Sequence, residues 1–138
     1  LRRRGLTTMD RDFITEKLIG RSAQFPAGSA DSYARLLTPT ASRLLFERQN
    51  AAASQVRLHD PTCLAGKKVL VLTGENDLDH PRAVDAEVAA WVAEQGADTR
   101  FVWLPDLGIG GNGHMVMMEA NSDAVAEVVL AWLDGGGL

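Results

Sequence analysis

Val69-Leu70-Val71-Leu72-Thr73-Gly74-Glu75-Asn76-Asp77-Leu78-Asp79-His80-Pro81 decides the fold of this chain. Its first four residues are apolar and rich in valine, the pattern of a short parallel strand covered on both faces. Gly74 closes that strand and Pro81 opens a helix. In the helix Val84, Val88, Trp91 and Val92 fall at i, i+4, i+7 and i+8, which draws one apolar face. Gly96 is a suitable stop. Thr99 to Leu104 predicts a second strand. After a glycine-rich loop, Asn121 or Ser122 can cap a last helix carrying Val125, Val128, Val129, Trp132 and Leu133 on one face. The order strand, helix, strand, loop, helix predicts an α/β fold with one right-handed βαβ unit and a trailing helix.

Upstream, residues 1 to 65 read differently and contain no convincing strand. Phe13, Ile14 and Leu18 predict one short helix closed by Gly20. Ser22 to Gly28 reads as a loop. Tyr33, Leu36 and Leu37 follow at helical spacing after a possible Ser29 cap. Pro39 suits a helix first turn, with Leu44 and Leu45 forming a thin stripe to about Ala53. These helices are expected to lie as a cap on something else, without a core of their own. Two domains-in-part are therefore expected: 1–65 as a helical lid or connector, and 66–138 as sheet and helices. Two buried parallel strands do not make a sheet, because their apolar faces and unpaired edges need further strands. The expectation is the C-terminal part of a larger sheet, completed by a missing N-terminal part of the same protein, by a second chain, or by exchange in a homo-oligomer.

Composition narrows the function. The chain has 138 residues, a formal net charge of −4 and 23% charged residues. That balance fits a globular protein and supplies no basic field for nucleic acid. Arg2, Arg3 and Arg4 read as a solvated tail. No apolar run approaches the ~18 residues of a membrane span. One cysteine excludes an intrachain disulfide and fits a reducing compartment, so the expected location is cytoplasmic.

The chemistry gathers beyond the strand ends, where open parallel sheets collect their functional groups. Asp77 follows the first strand. His114 follows the second, in Gly108-Ile109-Gly110-Gly111-Asn112-Gly113-His114-Met115. A carboxylate accepting from one imidazole nitrogen fixes the tautomer and stabilises the imidazolium formed when the other nitrogen takes a proton. The catalytic pair is therefore read as His114 and Asp77. Asp79 competes as the acid, or caps the helix that begins at Pro81. Glu75 is expected to face solvent.

From Lys67 to Leu133, about half the chain, the sequence resembles the last third of an α/β-hydrolase. Gly74-Glu75-Asn76-Asp77 with Pro81 is similar to that superfamily's acid-bearing turn. Asn112-Gly113-His114-Met115, followed by Glu119, Asn121 and Ser122, resembles the histidine loop of an esterase-like branch. The resemblance implies the C-terminal part of an α/β-hydrolase-like parallel sheet preceded by a lid-like segment. It implies a carboxylic-ester hydrolase with a Ser-Asp-His mechanism, a small-molecule ester as substrate, and no metal or organic cofactor. The family's nucleophile sits in a G-x-S-x-G elbow. No such elbow occurs here, since Ser22, Ser29, Ser32, Ser42 and Ser54 all lack its strand-turn-helix setting. The nucleophile and the oxyanion donors would lie outside this chain. The same scaffold also hosts dehalogenases, epoxide hydrolases and aminopeptidases, and a non-catalytic binding or assembly module is the reading from another class.

Other signals are weaker. Cys63 precedes Asp77 and His114 in nucleophile order, but it lies before a strand, at the opposite sheet edge, and reads as a small packing residue. Gly108 to Gly113 satisfies G-x-G-x-x-G, but no helix starts inside the motif, as dinucleotide binding requires. His59, His80 and His114 form no recognised metal-ligand spacing, and Asp79-His80 reads as a helix start. Met115, Met117 and Met118 are expected to pack beneath the last helix.

Overall fold

A computed structural model describes residues 5–50, 52 and 58–135. The basic start Arg2 to Arg4, the stripe's expected end near Ala53, and Ser54 lie outside the described residues.

Two parallel strands, β3 (Lys68–Thr73) and β4 (Asp98–Trp103), pair in register from Lys68 with Asp98 to Thr73 with Trp103. Helix α4 (Arg82–Glu94) connects them, and α5 (Ser122–Leu133) follows β4. Val102 and Leu104 pack with Val125 and Val128 of α5, and Leu70 and Leu72 of β3 border that cluster. This small core anchors the strand ends that carry Asp77 and His114.

The burial expected of the strands and of α4 is only partly met. Val69 to Leu72 are half-buried. Helix α4 buries Asp85 and Ala89, whereas Val84, Val88 and Trp91 are 51%, 48% and 47% exposed. Among the described residues no other strand pairs with β3 or β4. The two-stranded sheet takes the face of α4 that carries Asp85 and Ala89, and the expected apolar face at Val84, Val88 and Trp91 is left open. Leu130 and Leu133 of α5 are exposed as well.

The first half contains two strands that its composition does not announce. β1 (Leu6–Thr7) and β2 (Thr40–Ala41) form an antiparallel pair. Thr7 and Ser42 join their hydroxyls across it at 2.7 Å. Pro39 therefore precedes a strand, and the third helix, α3 (Ser42–Gln49), starts after it. Two-residue strands are too short to show an alternation.

The expected first helix is α1 (Arg11–Phe13), running on as a π-helical stretch, Ile14–Ile19. Gly20 ends it at φ +56°, with its N–H on the Thr15 carbonyl. α2 (Ala30–Leu36) begins after Ser29, whose side chain makes no capping bond.

These helices do have a core. Ile14, Leu18 and Tyr33 are buried together, and Met115 and Met118 pack against them. The methionines thus leave the underside of α5 for the N-terminal helices, and Met117 is exposed. The Tyr33 hydroxyl reaches Sδ of Met115 at 3.2 Å. Burial raises the Tyr33 pKa above the ordinary phenol value. The segment after β4 therefore stitches the two halves together.

Candidate active site

After Thr73 the chain passes through Gly74, where close approach decides the residue. A β-carbon there would sit 2.7 Å from the carbonyl oxygens of Asn112 and Gly113. Asn76 N–H donates to the Asn112 carbonyl at 2.7 Å. The acid turn and the histidine loop are therefore in backbone contact. Gly74→Ala should push them apart and destabilise the chain by about 1–3 kcal/mol. Urea unfolding of the variant checks this, and an unchanged midpoint would refute the contact.

Asp77 is held by its own turn. Its Oδ1 accepts the N–H groups of Asp79 and His80, both at 2.8 Å. Its Oδ2 faces Nδ1 of His114 at 3.0 Å. The Asp77 side chain is only 8% exposed, against 42% for Asp79. Of the two acids, Asp77 is the one that touches His114. Burial alone would push the Asp77 carboxyl up. Hydrogen bonds from His114 and the two N–H groups, together with the imidazole charge, outweigh it and hold the group below the usual carboxylate range. His114 moves the other way. The hydrogen bond to Asp77 raises its pKa, burial opposes that, the charges of Asp77 and Asp79 add to it, and Arg48 of α3 subtracts.

The loop that lifts His114 leaves β4 through a 3₁₀ turn, Leu104–Leu107, and turns at Gly108 and Gly111 with φ of +74° and +80°. It is then fastened from below. Buried Glu119 accepts from Gly113 N–H at 2.7 Å, Asn112 Nδ2 at 2.6 Å and the Ser22 hydroxyl at 2.6 Å. Asn112 and Asn121 exchange amide hydrogen bonds at 2.7 and 2.9 Å. Asn121 spends its side chain on that exchange and makes no side-chain cap for α5. Exposed Glu75 also has a partner, since its Oε2 accepts Gly111 N–H at 2.9 Å.

Several polar groups were not legible as parts of the site. The Ser22 hydroxyl donates to Glu119 and accepts from Gln24 and Phe25 N–H. It is a fastening for the loop, tied to it also by Ala23 N–H on the Gly111 carbonyl. His80 lies beside His114, with ring centroids 5.2 Å apart and planes within 20°. Asp85 accepts from Thr73 Oγ1 at 2.6 Å and lies 3.1 Å from His80 Nδ1. The available signal was a carboxylate on the face of α4 that also carries Ala89. Cys63 is exposed, in a 3₁₀ turn (Pro61–Leu64) ahead of β3. It is therefore not a packing residue, and it sits at the strand's amino end, away from the edge that carries Asp77. The run Gly108 to Gly113 leads into the His114 loop and a 3₁₀ turn, Val116–Met118, before α5 begins.

With Nδ1 facing a buried carboxylate, His114 offers Nε2 as a proton acceptor, the arrangement of a general base with its orienting acid. Part of the chain is similar to a lipase. That relative is the probable secreted lipase phiG of Fungal sp. (strain ATCC 74256), 47% identical over 45 residues, or 33% of this chain and 12% of the relative's length. No family model and no solved structure matches the chain significantly. No described helix is long and apolar enough to cross a membrane.

Proposed function

We propose that this chain is the acid- and histidine-bearing part of a carboxylic-ester hydrolase of α/β-hydrolase type. The observation that carries the reading is the 3.0 Å contact between His114 Nδ1 and the buried Asp77 carboxylate, on loops in backbone contact at one end of a parallel strand pair. The similarity to a lipase supports the choice of ester chemistry.

In this reading a serine hydroxyl outside the chain attacks the ester carbonyl carbon. His114 Nε2 takes the hydroxyl proton as the new C–O bond forms. The imidazolium returns that proton to the departing alcohol when the old C–O bond breaks, leaving an acyl-serine. Water then repeats the cycle, giving its proton to His114 and its oxygen to the released acid. Asp77 keeps Nδ1 protonated, so that Nε2 stays the acceptor. The upstream part of the protein also covers the open sectors of α4 and α5. The helices of residues 1 to 65, held to the histidine loop through Ser22 and Gln24, act as its lid. A homo-oligomer that exchanges elements would close the same surfaces.

Turnover has a defined pH dependence. His114 works in its neutral form, and its proton affinity is raised chiefly by Asp77. Activity should therefore fall with decreasing pH, through a midpoint above the ordinary imidazole value of 6.5. Asp77→Asn removes both the charge and the tautomer control. The midpoint should move down, and turnover at neutral pH should drop by about 10⁴-fold. Profiles of kcat/KM against pH for a p-nitrophenyl ester, using the protein with its upstream residues, measure both. An acid limb that stays in place in Asp77→Asn would count against the reading.

A further inference from the structure

The acid turn contains a second imidazole held by a second carboxylate. His80 Nδ1 lies 3.1 Å from one Asp85 oxygen. The other Asp85 oxygen accepts from Thr73 Oγ1 at 2.6 Å, and Asp85 is buried. His114 is held in the same way, with its Nδ1 against Asp77. Both rings therefore commit Nδ1 to a carboxylate and leave Nε2 available. Oδ2 of Asp79 lies 3.7 Å from His80 Nε2. One donor atom each from Asp79, His80 and His114 falls within 4.8 Å of the other two.

We propose that Asp79, His80 and His114 bind a divalent transition-metal ion, zinc foremost, and that the bound ion inhibits the protein by capping His114 Nε2. The inhibition rests on the hydrolase reading above, whereas the binding does not. Two imidazoles and a carboxylate are a zinc ligand set, with a fourth position left for water. Imidazole donors favour zinc over magnesium or calcium, which prefer oxygen. Metal-bound histidines usually give their other nitrogen to a carboxylate, which orients the ring and raises its basicity. Here Asp85 and Asp77 supply that support to both rings. Tetrahedral coordination needs donors roughly 3.3 Å apart, so from within 4.8 Å they must close by up to about 1.5 Å and the stacked His80 ring must turn toward His114, movements open to His80 and Asp79 side chains that are 36% and 42% exposed. Asp79 lies beside the site while Asp77 and Asp85 back the two rings, with Arg48 as the opposing charge felt at His114, so a dication is electrostatically favoured. The ligands are separated by 34 residues of chain, which is why their spacing shows no motif.

The test is titration of the chelator-treated chain with zinc chloride against a chromophoric chelator, with magnesium chloride as comparison. One equivalent of zinc should bind. His114→Ala and His80→Ala should each weaken binding at least about tenfold, and Asp85→Asn about 10- to 100-fold. His59→Ala should leave it unchanged. His80→Gln, which keeps a polar partner for Asp85, replaces His80→Ala if circular dichroism shows that variant unfolded. Absence of stoichiometric zinc, or unaltered affinity in both histidine variants, overturns the site. Ester turnover by the protein with its upstream residues should fall over the same zinc range and return on adding EDTA. Full turnover at saturating zinc overturns the capping of His114. Zinc binding by a protein whose metal-free form hydrolyses no ester sinks the hydrolase reading and leaves the metal site standing.

Discussion

His114→Ala, made in the protein with its upstream residues, is expected to lower ester turnover by about 10⁴- to 10⁶-fold. The size follows from what the imidazole does. A serine hydroxyl is a poor nucleophile unless its proton leaves as the bond forms, and the alcohol departs badly unless a proton returns. In the proposed mechanism both transfers use Nε2 of one ring, so one truncation would remove both. In that mechanism the oxyanion donors and substrate binding would be untouched and would supply the residual rate. The assay is p-nitrophenyl ester hydrolysis, with circular dichroism showing that the fold survives. His114 is only 27% exposed, so the variant also leaves a small void, and His114→Gln guards against a folding explanation. Near wild-type turnover in a folded variant would sink the mechanism.

Glu119→Ala is expected to lower stability by about 2–4 kcal/mol. Glu119 is 2% exposed and accepts three hydrogen bonds. An orphaned buried donor costs about 1–3 kcal/mol, but the three donors are not equally stranded. The Ser22 hydroxyl retains the Gly111 carbonyl at 3.4 Å, and Asn112 Nδ2 retains Asn121. Gly113 N–H has only Glu119 among its described partners, and the lost side-chain volume adds a cavity cost. Glu119→Gln, which keeps one acceptor oxygen, should cost less. Urea unfolding of the two variants against the parent chain measures the difference. A loss below about 0.5 kcal/mol in Glu119→Ala would show that the loop is held by something else. Because Gly113 immediately precedes His114, the same variant should also loosen the contact with Asp77.

Much of the second half was legible because its signals are local. A four-residue apolar run, a glycine, and a proline four residues beyond Asp77 mark the β3 end and the α4 start within a few positions. The residues carrying the candidate site, Asp77 and His114, follow from lying just past two strand ends. What periodicity conveys about α4 is narrower than it looks. Val84, Val88 and Trp91 do share one face, but whether that face is covered depends on neighbours that a pattern of spacing does not contain. The same limit hid the N-terminal core. Tyr33, Ile14 and Leu18 are too sparse to promise one, and it closes only because Met115 and Met118 arrive from 82 or more residues away in the chain.

The amino-acid sequence by itself determined the element order around the site and the two residue types at the strand ends. Those follow from hydrophobic period, backbone-breaking residues and the side-chain chemistry of Asp and His. Only the tertiary structure decided which acid meets His114. In the sequence, its place after the strand end favours Asp77, but Asp79 two residues on stays open as the acid. The two backbone N–H groups that Asp77 Oδ1 accepts aim its other oxygen at the imidazole, while Asp79 is left toward solvent beside His80. It alone also paired His80 with Asp85 and bound Ser22 to Glu119. Hydrogen bonds between residues far apart in sequence leave no periodic trace, because they depend on where the backbone brings two atoms within about 3 Å.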